Sequence, residues 1–138
     1  MKMKLPPDVL FHYDLQLLVY RPRGIMTDKR LDQLIEMLER EENKAAKAFN
    51  RYSDLSKLDA IDIDFKTVFR FSLHRRLFYK DRPAVKSAIY VISPAAARIV
   101  KIHVVMTDLS PLKVRMFEEI PAAAKWLGVS VEDLQIGQ

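Results

Sequence analysis

No cysteine occurs among the 138 residues, which excludes disulfides, thiolate metal ligands and thiol nucleophiles. Glycine is almost as scarce. Gly24, Gly128 and Gly137 are the three present, too few and too dispersed for a phosphate-cradling loop or a strained nucleophile elbow. No apolar run approaches the roughly 18–20 residues that a membrane span needs. Lys2 and Lys4 are not followed by the apolar stretch of a signal peptide. Neither sign of charge dominates: 23 Lys and Arg against 18 Asp and Glu give a net charge of +5. That excess attracts anions weakly and is not a nucleic-acid signature. A soluble, cytoplasmic protein is expected, with no nucleic-acid partner and no cofactor.

What is present suits one packed domain. Hydrophobic residues make up 49% and charged residues 30%, and the length allows one continuous core but not two ordinary ones. We expect a single domain over residues 1–138, with 1–8 an N-terminal extension and 129–138 a C-terminal tail.

Strand formers fill Val9 to Tyr20 around a polar break at Asp14, which reads as two short strands or one bent one. Apolar residues fall on both faces there, Leu17 and Val19 against Leu18 and Tyr20, so the strand is expected to be covered on both sides. Thr27 is a good helix N-cap with Asp28 in the first turn. Leu31, Leu34, Ile35 and Leu38 then recur at helical spacing. Phe49 to Leu55 reads as a central strand leading into a loop with Asp54, Asp59, Asp62 and Asp64. Asp62 or Asp64 caps the following helix, whose stripe of Phe65, Val68, Phe69, Leu73 and Leu77 is expected in the core. Ala84 to Ile92 is another strand. Ser93 and Pro94 make an N-cap with proline at the first helical position, so AAARIVKIHVVM reads as helix despite its β-branched end. A strand over Leu112–Glu119 and a short helix from Pro121 to Gly128 complete the order ββαβαβαβα. Strands alternating with helices imply an α/β fold with a mostly parallel sheet of about five strands and four helices.

Few residues suggest chemistry. The four aspartates could bind a divalent cation through oxygen, but Asp59 to Asp64 lacks the glycine and closing glutamate of a calcium loop. Capping and dipole compensation explain them more simply, and no metal is expected. His12, His74 and His103 are far apart on different elements. No catalytic constellation emerges, and an enzyme is not expected. Lys66, Arg70 and His74, at i, i+4 and i+8, share one helix face. They belong to a basic run that includes Arg75 and Arg76 and reads as a solvated surface.

The segment DLSKLDAIDID, Asp54 to Asp64, resembles the SpoIIAA-like, or STAS-like, superfamily, in which a strand ending in an Asp-Leu-Ser segment leads to a helix N-terminus. Asp54, Leu55 and Ser56 match the first part, and Ala60, Ile61 and Asp62 the approach to the helix. FNRYSDLS, SPAAA and VRMFEEIPAAAKWLG extend the likeness to the bacterial STAS/CRAL-TRIO-like branch. The resemblance implies a SpoIIAA-like fold similar to that of anti-sigma factor antagonists. In those proteins a serine two places after the loop Asp is phosphorylated. Here that place holds Asp64, so the switch is not expected. What remains is a non-catalytic regulatory or protein-interaction module, with Asp54, Ser56, Asp59, Asp62, Asp64, Lys66, Arg70 and His74 facing a partner or a second copy. The alternative is a carrier of a small amphipathic or lipid-like ligand.

Overall fold

The computed structural model describes residues 8–45 and 49–135. The expected N-terminal extension lies outside them except for Asp8, as do residues 46–48 and the last three of the chain. Two apolar runs separated by a polar turn set the first pair of strands. β1 (Val9–His12) and β2 (Leu17–Tyr20) form an antiparallel hairpin, turned by Tyr13 to Gln16, with Gln16 at a φ of 50°. All four residues of β2 are buried. Leu17 and Val19 enter the core with Tyr52, Ala88 and Leu127, whereas Leu18 and Tyr20 pack with Met37, Leu38 and Phe49. That is the two-sided covering expected of a central strand.

Three further strands join side by side. β4 (Asn50–Asp54), β6 (Val85–Tyr90) and β7 (Leu112–Phe117) complete a five-stranded sheet ordered β1-β2-β4-β6-β7. Every pairing beyond the hairpin is parallel, so the sheet is mixed, and β4 lies at its centre.

Two strands were not anticipated. β3 (Gly24–Thr27) and β5 (Leu58–Asp62) pair in parallel as a small second sheet, bringing the described strands to seven. The aspartate segment after β4 is thus largely strand rather than loop. Leu58 and Ile61 pack against the cluster containing Met26 and Leu38, so apolar burial holds the alternating acidic sequence extended.

The four helices form where local signals place them. In α1 (Asp28–Ala45), the Thr27 hydroxyl accepts from the Arg30 amide at 3.3 Å. In α2 (Phe65–Phe78), the Asp64 carboxylate accepts from the Thr67 amide at 2.8 Å. Ser93 caps α3 (Pro94–Thr107), and α4 (Ile120–Leu127) ends at Gly128, whose φ of 75° is the left-handed C-cap that glycine adopts without strain. The helix signal thus prevails over the β-branched end of α3.

α4 covers one face of the main sheet, and α1, α2 and α3 lie over the other with the small sheet. Beyond α4 the segment read as a tail turns back through a short 3-10 helix, Glu132–Leu134. Leu134 is buried in the α4-side core, and the Asp133 carbonyl lies 2.8 Å from the His12 imidazole.

One expectation about α2 is overturned. Of its supposed core stripe only Val68 is buried; Phe65, Phe69, Leu73 and Leu77 are exposed by 58%, 51%, 48% and 61%. The inward face carries Thr67, Val68, Ser72 and Arg75 instead. Arg75, expected on a solvated surface, is 1% exposed. Partners for its charge on α1, described below, hold the helix in this orientation.

Leu134→Ala is predicted to cost about 2–3 kcal/mol in denaturant unfolding, the usual loss for a buried leucine. A change under about 0.5 kcal/mol, typical of a surface site, would show that the segment after Gly128 is not part of the packed unit.

Candidate functional site

The residues expected to face a partner fall into two groups. Asp54, the last residue of β4, is buried, and its Oδ1 accepts from the Ser56 amide at 2.9 Å and the Ser56 hydroxyl at 2.6 Å. Arg21 Nε lies 3.7 Å from the other oxygen. These two site candidates therefore close a local turn at the strand end. Asp59 and Asp62 are exposed on β5. Asp64 is fully exposed at the start of α2, where the hydrogen bonds from Thr67, and then Lys66 and Arg70, hold its carboxyl below the usual range. Lys66, Arg70 and His74 are exposed along α2. His74 Nε2 reaches Glu39 Oε2 of α1 at 2.8 Å, and Arg70 and His74 border a shallow groove with Asp32 and Glu36 of that helix. Among the described residues, no three His, Asp or Glu side chains converge as a metal site would require.

A second constellation lies beneath α2. Arg75 of α2, Arg51 of β4 and Glu42 of α1 are 1%, 5% and 2% exposed. Glu42 Oε1 accepts from Arg75 Nη2 at 3.3 Å and forms an ion pair with Arg51 Nη2 at 3.2 Å. The hydroxyl of fully buried Tyr79 joins the three: it donates to Glu42 Oε2 and accepts from both guanidiniums, at 2.9 Å from Arg75. One hydroxyl hydrogen and two lone pairs are thereby all used. The ring carries part of the load too, with the guanidinium carbons of Arg75 and Arg51 lying 4.9 and 5.5 Å from its centroid. Arg75 and Tyr79 are one helical turn apart, so a single face of α2 delivers both.

The pairing leaves a remainder. Arg75 Nη1 lies 3.5 Å from Glu39 Oε2, which His74 also contacts, and it makes no hydrogen bond; neither does Arg51 Nε, among the described residues. Both arginines line a cavity of about 130 Å³ between the main sheet and the α1–α3 layer. Its remaining wall is mostly apolar, drawn from α1, α2, α3, both sheets and the β5–α2 link, with Tyr20, Ser53, Ser87 and His103 as the other side chains that carry a polar group. Such a combination, an apolar cavity with a few convergent polar groups, is what small-molecule sites share.

Burial dominates the electrostatics of this wall. Desolvation, then Arg51, pushes the Arg75 guanidinium down from its ordinary value, while desolvation pushes the Tyr79 phenol up against the pull of the two arginines. His103 sits on α3 with Nδ1 2.8 Å from the Ser72 hydroxyl. Desolvation, then Arg75 and Arg51, lowers its pKa to about 3, so the imidazole is neutral near physiological pH.

That depression has a measurable consequence. Between pH 6.5 and about 3 the unfolded chain carries a proton on His103 that the folded chain does not, so unfolding becomes easier as pH falls. His103→Gln is predicted to lessen the loss of stability by about 1.4 kcal/mol per pH unit across this window. Denaturant unfolding at several acidic pH values measures it; equal slopes for both proteins would contradict the assignment.

No family model matches the sequence, nor does any curated protein. Among solved structures, an uncharacterized protein of the DUF3478 family from Shewanella loihica PV-4, described as having a SpoIIAA-like fold, matches with a TM-score of 0.53. The fold is SpoIIAA-like. Identity to that protein is 18%, over 80% of this chain and 83% of that chain, so the likeness concerns architecture and leaves function to the site. Within this SpoIIAA-like frame, the sequence pointed to the aspartate segment and the outer face of α2, and missed the arginine pair. The available signal was the alignment of Thr67, Ser72, Arg75 and Tyr79 with Val68 on one side of the helix.

Proposed function

We propose that this SpoIIAA-like chain carries a small amphipathic molecule in the cavity beneath α2 and α3. The observation that carries the reading is the composition of the wall, apolar except for Arg51, Arg75, His103, two serines and the Tyr20 hydroxyl. A cavity lined only for packing has no use for two guanidiniums, because burying them costs several kcal/mol apiece before pairing. An engineered cavity of about 150 Å³ in another protein holds a benzene ring, so a volume of about 130 Å³ suits a tail of about six carbons. Native mass spectrometry of the purified protein is expected to find a bound small molecule, or to find one after exposure to octanoate or octanol. Val100→Phe, which adds bulk from α3 into the cavity, is expected to lower occupancy about tenfold. A folded protein that takes up neither probe contradicts the proposal.

The outward row on α2 favours a second reading, that of a non-catalytic interaction module without the phosphorylated serine. Phe65, Phe69, Leu73 and Leu77 offer apolar contact, flanked by Lys66 and Arg70 for an acidic rim. Asp64, engaged as the α2 cap, supplies a constant charge where the switch proteins present a modifiable group. In this reading the row engages a protein partner or a second copy. Sedimentation at high concentration is expected to detect self-association that Phe69→Glu with Leu73→Glu abolishes. A wild-type protein that stays monomeric throughout removes the self-association arm.

A further inference from the structure

We infer that the cavity selects an anionic amphipath, specifically a monocarboxylate with an apolar tail, held by Arg75 and Arg51 with its tail running toward the small sheet. This assignment rests on the carrier reading above and adds the headgroup and the orientation.

The first argument is charge. Two guanidiniums and one carboxylate, Arg51, Arg75 and Glu42, are buried together at this wall. Glu39 compensates only from the edge, one-fifth exposed and shared with His74. Buried charge persists when it is paired, and an excess guanidinium is among the costliest groups to leave unmatched. A ligand carboxylate supplies the missing negative charge.

The second argument is geometry. Arg75 Nη1 and Arg51 Nε have no hydrogen-bond partner among the described residues, and both side chains line the cavity while being more than nine-tenths buried. Guanidinium N–H groups match a carboxylate in shape as well as charge. Ser87 lies directly across from Arg51 in the β4–β6 register and also lines the cavity, adding a hydroxyl at the same end.

The third argument is the gradient along β4. Arg51 lies near the amino end of the strand, whereas Leu55, just past its carboxyl end, lines the cavity together with the apolar Leu58, Ile61 and Ile63. Four residues of strand span about 13 Å, and an extended chain advances about 1.2 Å per bond. Covering that distance would take about eleven bonds, so a tail of about six to eight carbons, near what the volume allows, runs from the arginines part of the way toward the small sheet. A neutral apolar ligand would leave Arg75 Nη1 and Arg51 Nε without a hydrogen-bond acceptor. A doubly charged phosphate would overshoot the single excess charge.

The test titrates the protein with octanoate and with 1-octanol by calorimetry near neutral pH. Octanoate is expected to bind about tenfold or more tightly than octanol, the usual worth of a buried charge-assisted hydrogen bond. Arg75→Gln should bring the two affinities to within about threefold of each other, erasing that preference. Equal affinities in the wild type would overturn the headgroup assignment and leave the carrier reading standing, whereas failure of both probes would overturn both. Should Arg75→Gln fail to fold, carboxyl-labelled octanoate on the wild-type protein decides by NMR. A bound carboxyl that stays ionised well below the usual carboxylate range supports the assignment, and one that titrates like the free acid overturns it.

Discussion

The Tyr79 hydroxyl is the point at which three separate elements are tied together. It holds Glu42 of α1, Arg51 of β4 and Arg75 of α2 in one hydrogen-bonded group, and Glu42 Oε1 reinforces the tie by lying against both guanidiniums. A carboxylate and two guanidiniums taken out of water interact with little screening, so each guanidinium needs the carboxylate at close range and the Tyr79 hydroxyl between them. The position of α2 over the sheet follows from that need.

The main sheet supplies the platform. β4 at its centre, covered by α4 beneath and by the cavity layer above, presents Tyr52 to one side and Arg51 and Ser53 to the other. Alternation along a strand thus assigns one set of residues to stability and the next to the candidate site. Binding sites in open α/β sheets usually collect at the carboxyl edge of the strands. Here Asp54 and Ser56 close that edge by bonding to each other, and the polar chemistry lies on the sheet's face near the opposite end.

Much of this architecture was legible from short-range signals. Thr27, Asp64 and the Ser93-Pro94 pair each mark a helix start by a hydrogen bond or a fixed φ that needs no tertiary information, and Gly128 marks a helix end in the same way. The two-sided burial of β2 followed from unbroken apolar sequence. β3 and β5 were not legible, because each is short and their pairing partner lies more than thirty residues away; alternating aspartates in β5 also imitate a loop. Most instructive is α2. Its apolar period was read correctly as a helix and wrongly as the buried side, since periodicity reports that a helix has faces but not which one a partner elsewhere will claim. Arg75 looked like surface until Glu42 and Arg51 were brought to it by the fold. The candidate site inherited the same error, leaning toward the exposed Lys66, Arg70 and His74 and away from the arginine pair.

The outward row of Phe65, Phe69, Leu73 and Leu77 has a consequence for how the helix finds its place. On area alone, rotating α2 to bury that row would bring more hydrocarbon inside than the observed arrangement, at roughly 25 cal/mol for each square ångström covered. Two orientations of one helix therefore compete, and the landscape is locally frustrated. The ionic group breaks the tie, because only one rotation lets Arg75 meet its counter-charge. Buried polarity here acts as a selector of orientation rather than as a source of net stability.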